Sequence, residues 1–255
     1  MTAVPKATPG ATAEQTQTGS RPLWLTILTV LTIVGVAAGL YMALVYAGTD
    51  LEQGDVQRIF YIHMPAFIGS FVALLGTAIG GVMYLRTRNV KWDTLALAGV
   101  EVGIALALIN LITGMVWARP IWNTWWTWDP RLTSEAIMIL TYAAYLMLRN
   151  GIENPEQRRR FAAVYGTLAF ITVIIVLVIT RIRPDTIHPV VIGPSVQTDT
   201  AQGAFEVAAS QGVSRALMVN MPVWGLLVPI TLMWYRIRLE NVAQRVQALK
   251  LKALS

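Results

Sequence analysis

Long apolar runs alternate with short polar interruptions along most of the chain, and six of them are long enough to span a membrane. They cover about residues 24–47, 64–85, 93–117, 132–148, 162–182 and 214–235. A helix rising 1.5 Å per residue crosses ~30 Å of hydrocarbon in about 20 residues. Irregular backbone cannot face lipid, so each run is predicted to be a helix. The fourth run is the shortest and is expected to begin inside the loop before it. The first is too long for a signal-peptide core and ends in no clear small-residue cleavage site, which predicts a retained span. Residues 1–22 carry Thr, Ala, Gln, Gly and Pro with almost no large apolar side chains, the composition of a disordered tail. The expected fold is an all-α integral membrane protein with six transmembrane helices over residues 23–235.

Charge then orients the spans. Basic residues favour the cytoplasmic side of short loops. One side would carry fourteen, at positions 6, 21, 86, 88, 91, 149, 158, 159, 160, 236, 238, 245, 250 and 252, and the other six, at positions 58, 119, 131, 181, 183 and 215. That imbalance predicts both termini in the cytoplasm and the long loops, 48–63, 118–131 and 183–213, on the outer side. Charged residues make up 13% of the chain, about half the fraction of a soluble domain. The net charge of +6 sits in clusters between apolar runs, as membrane-lipid anchors do, so nucleic acid is not an expected partner. The chain contains no cysteine, which excludes disulfides, thiolate metal sites and thioether attachment of haem to this chain. No lysine stands in a glycine-rich nucleotide-binding loop, so any ATP hydrolysis belongs to other subunits.

Five of the nine tryptophans lie between Trp117 and Trp128. An aromatic belt at the membrane interface accounts for one or two, but not for Trp122, Trp125, Trp126 and Trp128 in one outer loop between helices 3 and 4. At helical spacing Trp122, Trp125 and Trp126 would share a face, an apolar platform suited to a large planar ligand. Asp129 before Pro130 reads as the N-cap of the fourth span.

The stretch from Trp122 to Glu135, Trp-Asn-Thr-Trp-Trp-Thr-Trp-Asp-Pro-Arg-Leu-Thr-Ser-Glu, resembles the tryptophan-rich WWD signature of the haem-handling proteins of cytochrome c maturation. Within that superfamily the chain looks most like the haem exporter protein C family. The six-span layout, the chain length and Ile59-Phe-Tyr-Ile-His-Met-Pro65 agree with that choice. The resemblance covers most of residues 24–235. It departs at Asn123, where the family usually has Gly, and at Pro130, where it usually has Ala. It implies a haem b carrier rather than an enzyme, with haem bound transiently and without covalent bonds. The implied partners are an external haem chaperone, ABC transporter subunits that hydrolyse ATP, and a small membrane subunit, and the implied membrane is a bacterial inner membrane.

The two histidines of the chain, His63 and His188, are predicted to reach the same side as the tryptophan loop, which takes part in the expected site from Trp122 to Asp129. Imidazole is a common axial ligand of haem iron, and the resemblance implies that these two hold it. Met64 is the adjacent rival ligand, though packing is the commoner role for such a residue. The haem propionates need cations, for which Arg58, Arg119, Arg131, Arg181 and Arg183 are candidates, with Arg119 and Arg131 foremost because they bracket the tryptophans. Glu101, inside span three, has either a structural or a functional role open to it, and Glu135 suits first-turn dipole compensation. The basic segment 236–255 reads as a charged helical tail, an interfacial amphipathic helix or a docking point.

Two further classes differ in what they require. A haem lyase of the same superfamily would have more spans and more histidines. A cytochrome b-like redox subunit would place histidine pairs within its helices, and none are present. A permease scaffold would bind no haem.

Overall fold

The computed structural model describes residues 22–50, 53–188 and 211–254; the expected tail over 1–22 lies almost wholly outside these. Among the described residues the protein is helical, with one isolated bridge between Asp50 and Gly54. Helix α1 runs Leu23–Tyr41 and closes in a π-helical turn, Met42–Tyr46. A short 3₁₀ turn, Asp55–Ile59, leads into α2, Phe60–Thr87. Then come α3, Val90–Trp122, α4, Pro130–Gly151, and α5, Pro155–Ile182. Helix α6, Gln211–Pro222, passes through a π turn, Val223–Leu227, into α7, Val228–Leu254.

Helix starts follow local chemistry. Asn89 and Asn154 accept backbone N–H bonds at the heads of α3 and α5, and Pro155 supplies a pre-set first residue. Helix α2 ends at Arg88, which takes a left-handed φ of 57°.

Five helical segments are long and apolar enough to cross a membrane: Leu23–Tyr46, Asp55–Thr87, Val90–Trp122, Pro155–Ile182 and Gly212–Ala253. The sixth expected span, α4, is helical over 22 residues but more polar, because it carries Arg131, Glu135 and Arg149, all buried against the other helices. As expected, it begins inside the preceding loop, at Pro130. Helix α3 extends five residues past the expected end of its span, through Pro120 to Trp122. The basic segment after residue 235 is no separate element: α7 continues through it without a break.

Helices α2 and α3 form a close antiparallel hairpin because small residues line the seam. A Cβ on Gly80 would fall 2.7 Å from the Trp92 carbonyl oxygen, and one on Gly99 2.5 Å from that of Ala73. Without a hydrophobic force between helices in lipid, such backbone contact supplies the packing. Helices α4 and α5 cover one side around Tyr142, Tyr145 and Val173. Helix α7 and the π turn before it cover the other, α6 packs near Phe60 and Tyr61, and α1 packs on them while leaving Ile27, Leu31 and Val34 exposed for lipid.

Buried ion pairs tie the end of the bundle near Asp93. Arg149 donates two hydrogen bonds of 2.7 Å to the two carboxylate oxygens of Asp93, and Arg159 stands 3.7 Å away. Glu101 has a structural partner: Arg236 of α7 grips both its oxygens and also reaches Glu240.

Candidate haem site

At the opposite end of the hairpin, α2, α3, α4 and α5 enclose a cavity of ≈ 320 Å³ that His63 and His188 both line. His63 lies in the first turn of α2, where its ring faces α3. Its Nδ1 is 3.0 Å from the Asn110 carbonyl oxygen and 3.1 Å from Thr113 Oγ1. The carbonyl can only accept, and the Thr113 hydroxyl already donates to Ile109 at 2.6 Å. The Asn110 amide nitrogen is the one donor facing Nδ1, at a longer 3.3 Å; the closer carbonyl assigns the proton to Nδ1 and leaves Nε2 as the lone-pair nitrogen. The Asn110 amide returns a 2.7 Å bond to the His63 carbonyl. Room for the ring comes from Gly114, where a Cβ would fall 2.9 Å from His63 Cε1.

His188 arrives on the limb that follows α5. Its ring centre lies 6.5 Å from that of His63, with the planes tilted by 30°. Asp129 anchors this limb. Its Oδ1 accepts from the Arg131 and Leu132 N–H groups at 2.8 and 3.4 Å, making the expected N-cap of α4. Its Oδ2 accepts from Thr186 Oγ1 at 2.8 Å and from the Ile187 N–H at 2.7 Å. Thr186 Oγ1 in turn lies 3.2 Å from the His188 nitrogen that donates to it.

The tryptophans divide. Trp117 and Trp122 line the cavity, edge to face with 5.1 Å between ring centres. Trp117 is pinned by a 2.9 Å bond from its indole N–H to Gln53. Trp126 and Trp128 pair edge to face at 5.9 Å outside the lining, and Trp128 is 83% exposed. The platform expected of Trp122, Trp125 and Trp126 on one helical face does not form. The helix ends at Trp122 because Asn123 takes a left-handed φ of 55°, and the residues beyond it are irregular as far as Pro130.

Arginines divide as well. Arg131 and Arg181 line the cavity. Arg131 donates to Glu135 at 2.8 Å and lies 4.5 Å above the Phe67 ring. Glu135, expected as a dipole partner, is a buried cavity-wall carboxylate whose Oε1 has no hydrogen bond. Arg119 instead turns to Asn123 at the end of α3 and stays outside the lining. Arg58 braces the end of α1 through the Leu44 carbonyl and pairs with Asp55. Arg183 bonds Asp185 on the surface, and those hydrogen bonds hold the Asp185 carboxyl below its usual range. Met64 also lines the cavity.

Asn110, Thr113 and Gly114 escaped the sequence reading. For Asn110 and Thr113 the signal was the one applied to Glu101, a polar side chain inside an apolar span; Gly114 carried none.

A family model described as Heme exporter protein C matches residues 10–251. The chain belongs to that family. It is 28% identical over 235 residues to a heme exporter protein C of Rhodobacter capsulatus, covering 92% of each chain. It is 33% identical over 149 residues to that of Haemophilus influenzae, covering 58% of this chain and 59% of the relative. A ccmC-like mitochondrial protein of Arabidopsis thaliana, named for cytochrome c biosynthesis, is 36% identical over 110 residues, 43% of each chain.

Proposed function

We propose that this member of the heme exporter protein C family carries haem b for cytochrome c maturation, holding it between His63 and His188 for delivery to an external haem chaperone. The observation that carries the proposal is the histidine spacing. Two imidazoles on one iron place their ring centres ~6 Å apart, from metal–nitrogen bonds of about 2 Å and about 1 Å from each nitrogen to its ring centre. The two rings here are 6.5 Å apart. The Nδ1 bonds of His63 leave the right nitrogen for iron, the second-sphere arrangement typical of ligating histidines. Phe67, Trp117 and Trp122 offer apolar and aromatic surface to a macrocycle. Arg131 and Arg181 are the cations available to propionates, and Trp125, Trp126 and Trp128 belong to the rim that a partner reaches.

The same proposal includes α4 as a sixth span, with both termini in the cytoplasm and the site on the outer side of a bacterial inner membrane. Six helical segments among the described residues, with α6 and α7 taken as one, and an outer side poor in basic residues support it. The protein transfers haem and does not catalyse a net reaction. ABC transporter subunits supply ATP hydrolysis, alongside a small membrane subunit.

The test is the optical spectrum of the purified, detergent-solubilised protein beside His63→Ala and His188→Ala. The expected result is a low-spin b-type spectrum, lost or converted to high spin in each variant. Absence of bound haem after reconstitution would overturn the proposal.

A further inference from the structure

The carboxylate of Asp129 makes four hydrogen bonds and divides them between two chain segments. One oxygen closes the first turn of α4, and the other closes on Thr186 and Ile187, immediately before His188. Asp129 is 6% exposed and Thr186 1% exposed, so neither half of the clasp is a loose surface contact. A helix N-cap needs only the first pair of bonds. The second pair is additional, and it spans 57 and 58 residues of sequence.

We propose that Asp129 is the positioning residue for His188, and that it sets the second axial position of the site from the tryptophan loop. This rests on the haem-carrier reading above. His63 is held from behind by α3, through Asn110 and Thr113. His188 lies on an irregular limb, where the Thr186 hydroxyl and the Ile187 N–H donate to Asp129 and the His188 N–H donates to Thr186 Oγ1, bonds that hold the backbone carrying the ring. All trace to one carboxylate oxygen. Ligand geometry depends on such outer partners, and their loss typically lowers metal affinity about 10–100-fold.

Chemistry separates the clasp from the cap. Asn at 129 offers one accepting oxygen and one donating NH₂. It can keep the cap only by turning the NH₂ toward the Ile187 N–H, where donor meets donor. Val at 186 has nearly the shape of Thr but removes the hydroxyl, leaving the α4 cap intact.

The experiment compares haem-loaded full-length wild type, Asp129→Asn, Thr186→Val and His188→Ala by optical spectrum, haem titration, thermal unfolding and added imidazole. Asp129→Asn and Thr186→Val are expected to follow His188→Ala toward five-coordinate high-spin haem, with affinity about 10–100-fold weaker. Imidazole should restore the low-spin spectrum in all three, and Thr186→Val should unfold at the wild-type temperature. If His188→Ala alters the spectrum while the other two keep it, the positioning role falls and the carrier reading stands. If His188→Ala itself leaves the wild-type spectrum unchanged, both fall. Haem loss in Thr186→Val that imidazole cannot reverse would also overturn the positioning role, since the clasp would then support the whole fold.

Discussion

At the Asp93 end of the α2–α3 hairpin both oxygens of the buried carboxylate meet a guanidinium, whereas at the His63 end Glu135 keeps one buried oxygen without a hydrogen bond. The two ends are about 25 Å apart by helix rise along α3. Both bury an acid–base pair in an apolar bundle, where an unpaired charge costs several kcal/mol. Around Asp93 both carboxylate oxygens are met by Arg149, which ties α3 to α4. Around Glu135 the pair is left incomplete, beside a cavity and two histidines. Buried polar groups are nearly always satisfied, and an unmet carboxylate oxygen is costlier to leave than the tyrosine hydroxyls that also lack a partner, such as Tyr145, so under the proposed function Glu135 lies where a ligand would complete the structure.

Breaking the closed end should have the largest effect on folding. Arg149→Ala leaves Asp93 buried with only the more distant Arg159, and should cost about 3–5 kcal/mol, read as a lower unfolding temperature in detergent. The haem spectrum of the protein that remains folded should be unchanged; a changed spectrum would mean that the two ends are coupled.

The open end should respond the other way. Gly114→Ala drives a methyl against His63 Cε1, at a cost of about 1–3 kcal/mol from overpacking, yet it should abolish His63 ligation and with it the low-spin spectrum. A low-spin spectrum retained at full occupancy would show that the ring has space to move. The smallest effect is expected at Trp128. With 83% of its surface exposed, Trp128→Ala should alter stability by no more than about 0.5 kcal/mol and leave haem loading intact, while slowing transfer to an external chaperone in a handover assay. Loss of loading equal to that of Gly114→Ala would put Trp128 inside the site.

Five of the six expected spans were legible because lipid demands a long apolar helix, a signal that local sequence carries. His63 and His188 stood out by rarity, and Asp129-Pro130 announced the head of α4. Other features depend on where helices stop and what they meet. Asn123 ends α3 by entering a left-handed conformation that its residue type permits but does not require, and so breaks the shared face expected of the tryptophans. Arg119 and Arg131 bracket the same loop and look equivalent as letters. They separate only because α3 turns one toward its own end and α4 buries the other beside Glu135. The polar character of α4 has the same origin: its charges answer Asp93 and the cavity, partners distant in sequence.

The helical segment Gly212–Ala253, 42 residues long and turned once through the π-helical stretch Val223–Leu227 after Pro222, is ~63 Å along its length at 1.5 Å per residue, roughly twice the thickness of the hydrocarbon layer. The π turn divides it into two arms, and the longer, α7, spans 27 residues or ~40 Å, so a tilt of roughly 10° about that turn would move its far end by ~7 Å. Asn220 fastens it to Gly39 on one arm and Arg236 to Glu101 on the other, so force applied to its basic end would be felt as torque across the membrane.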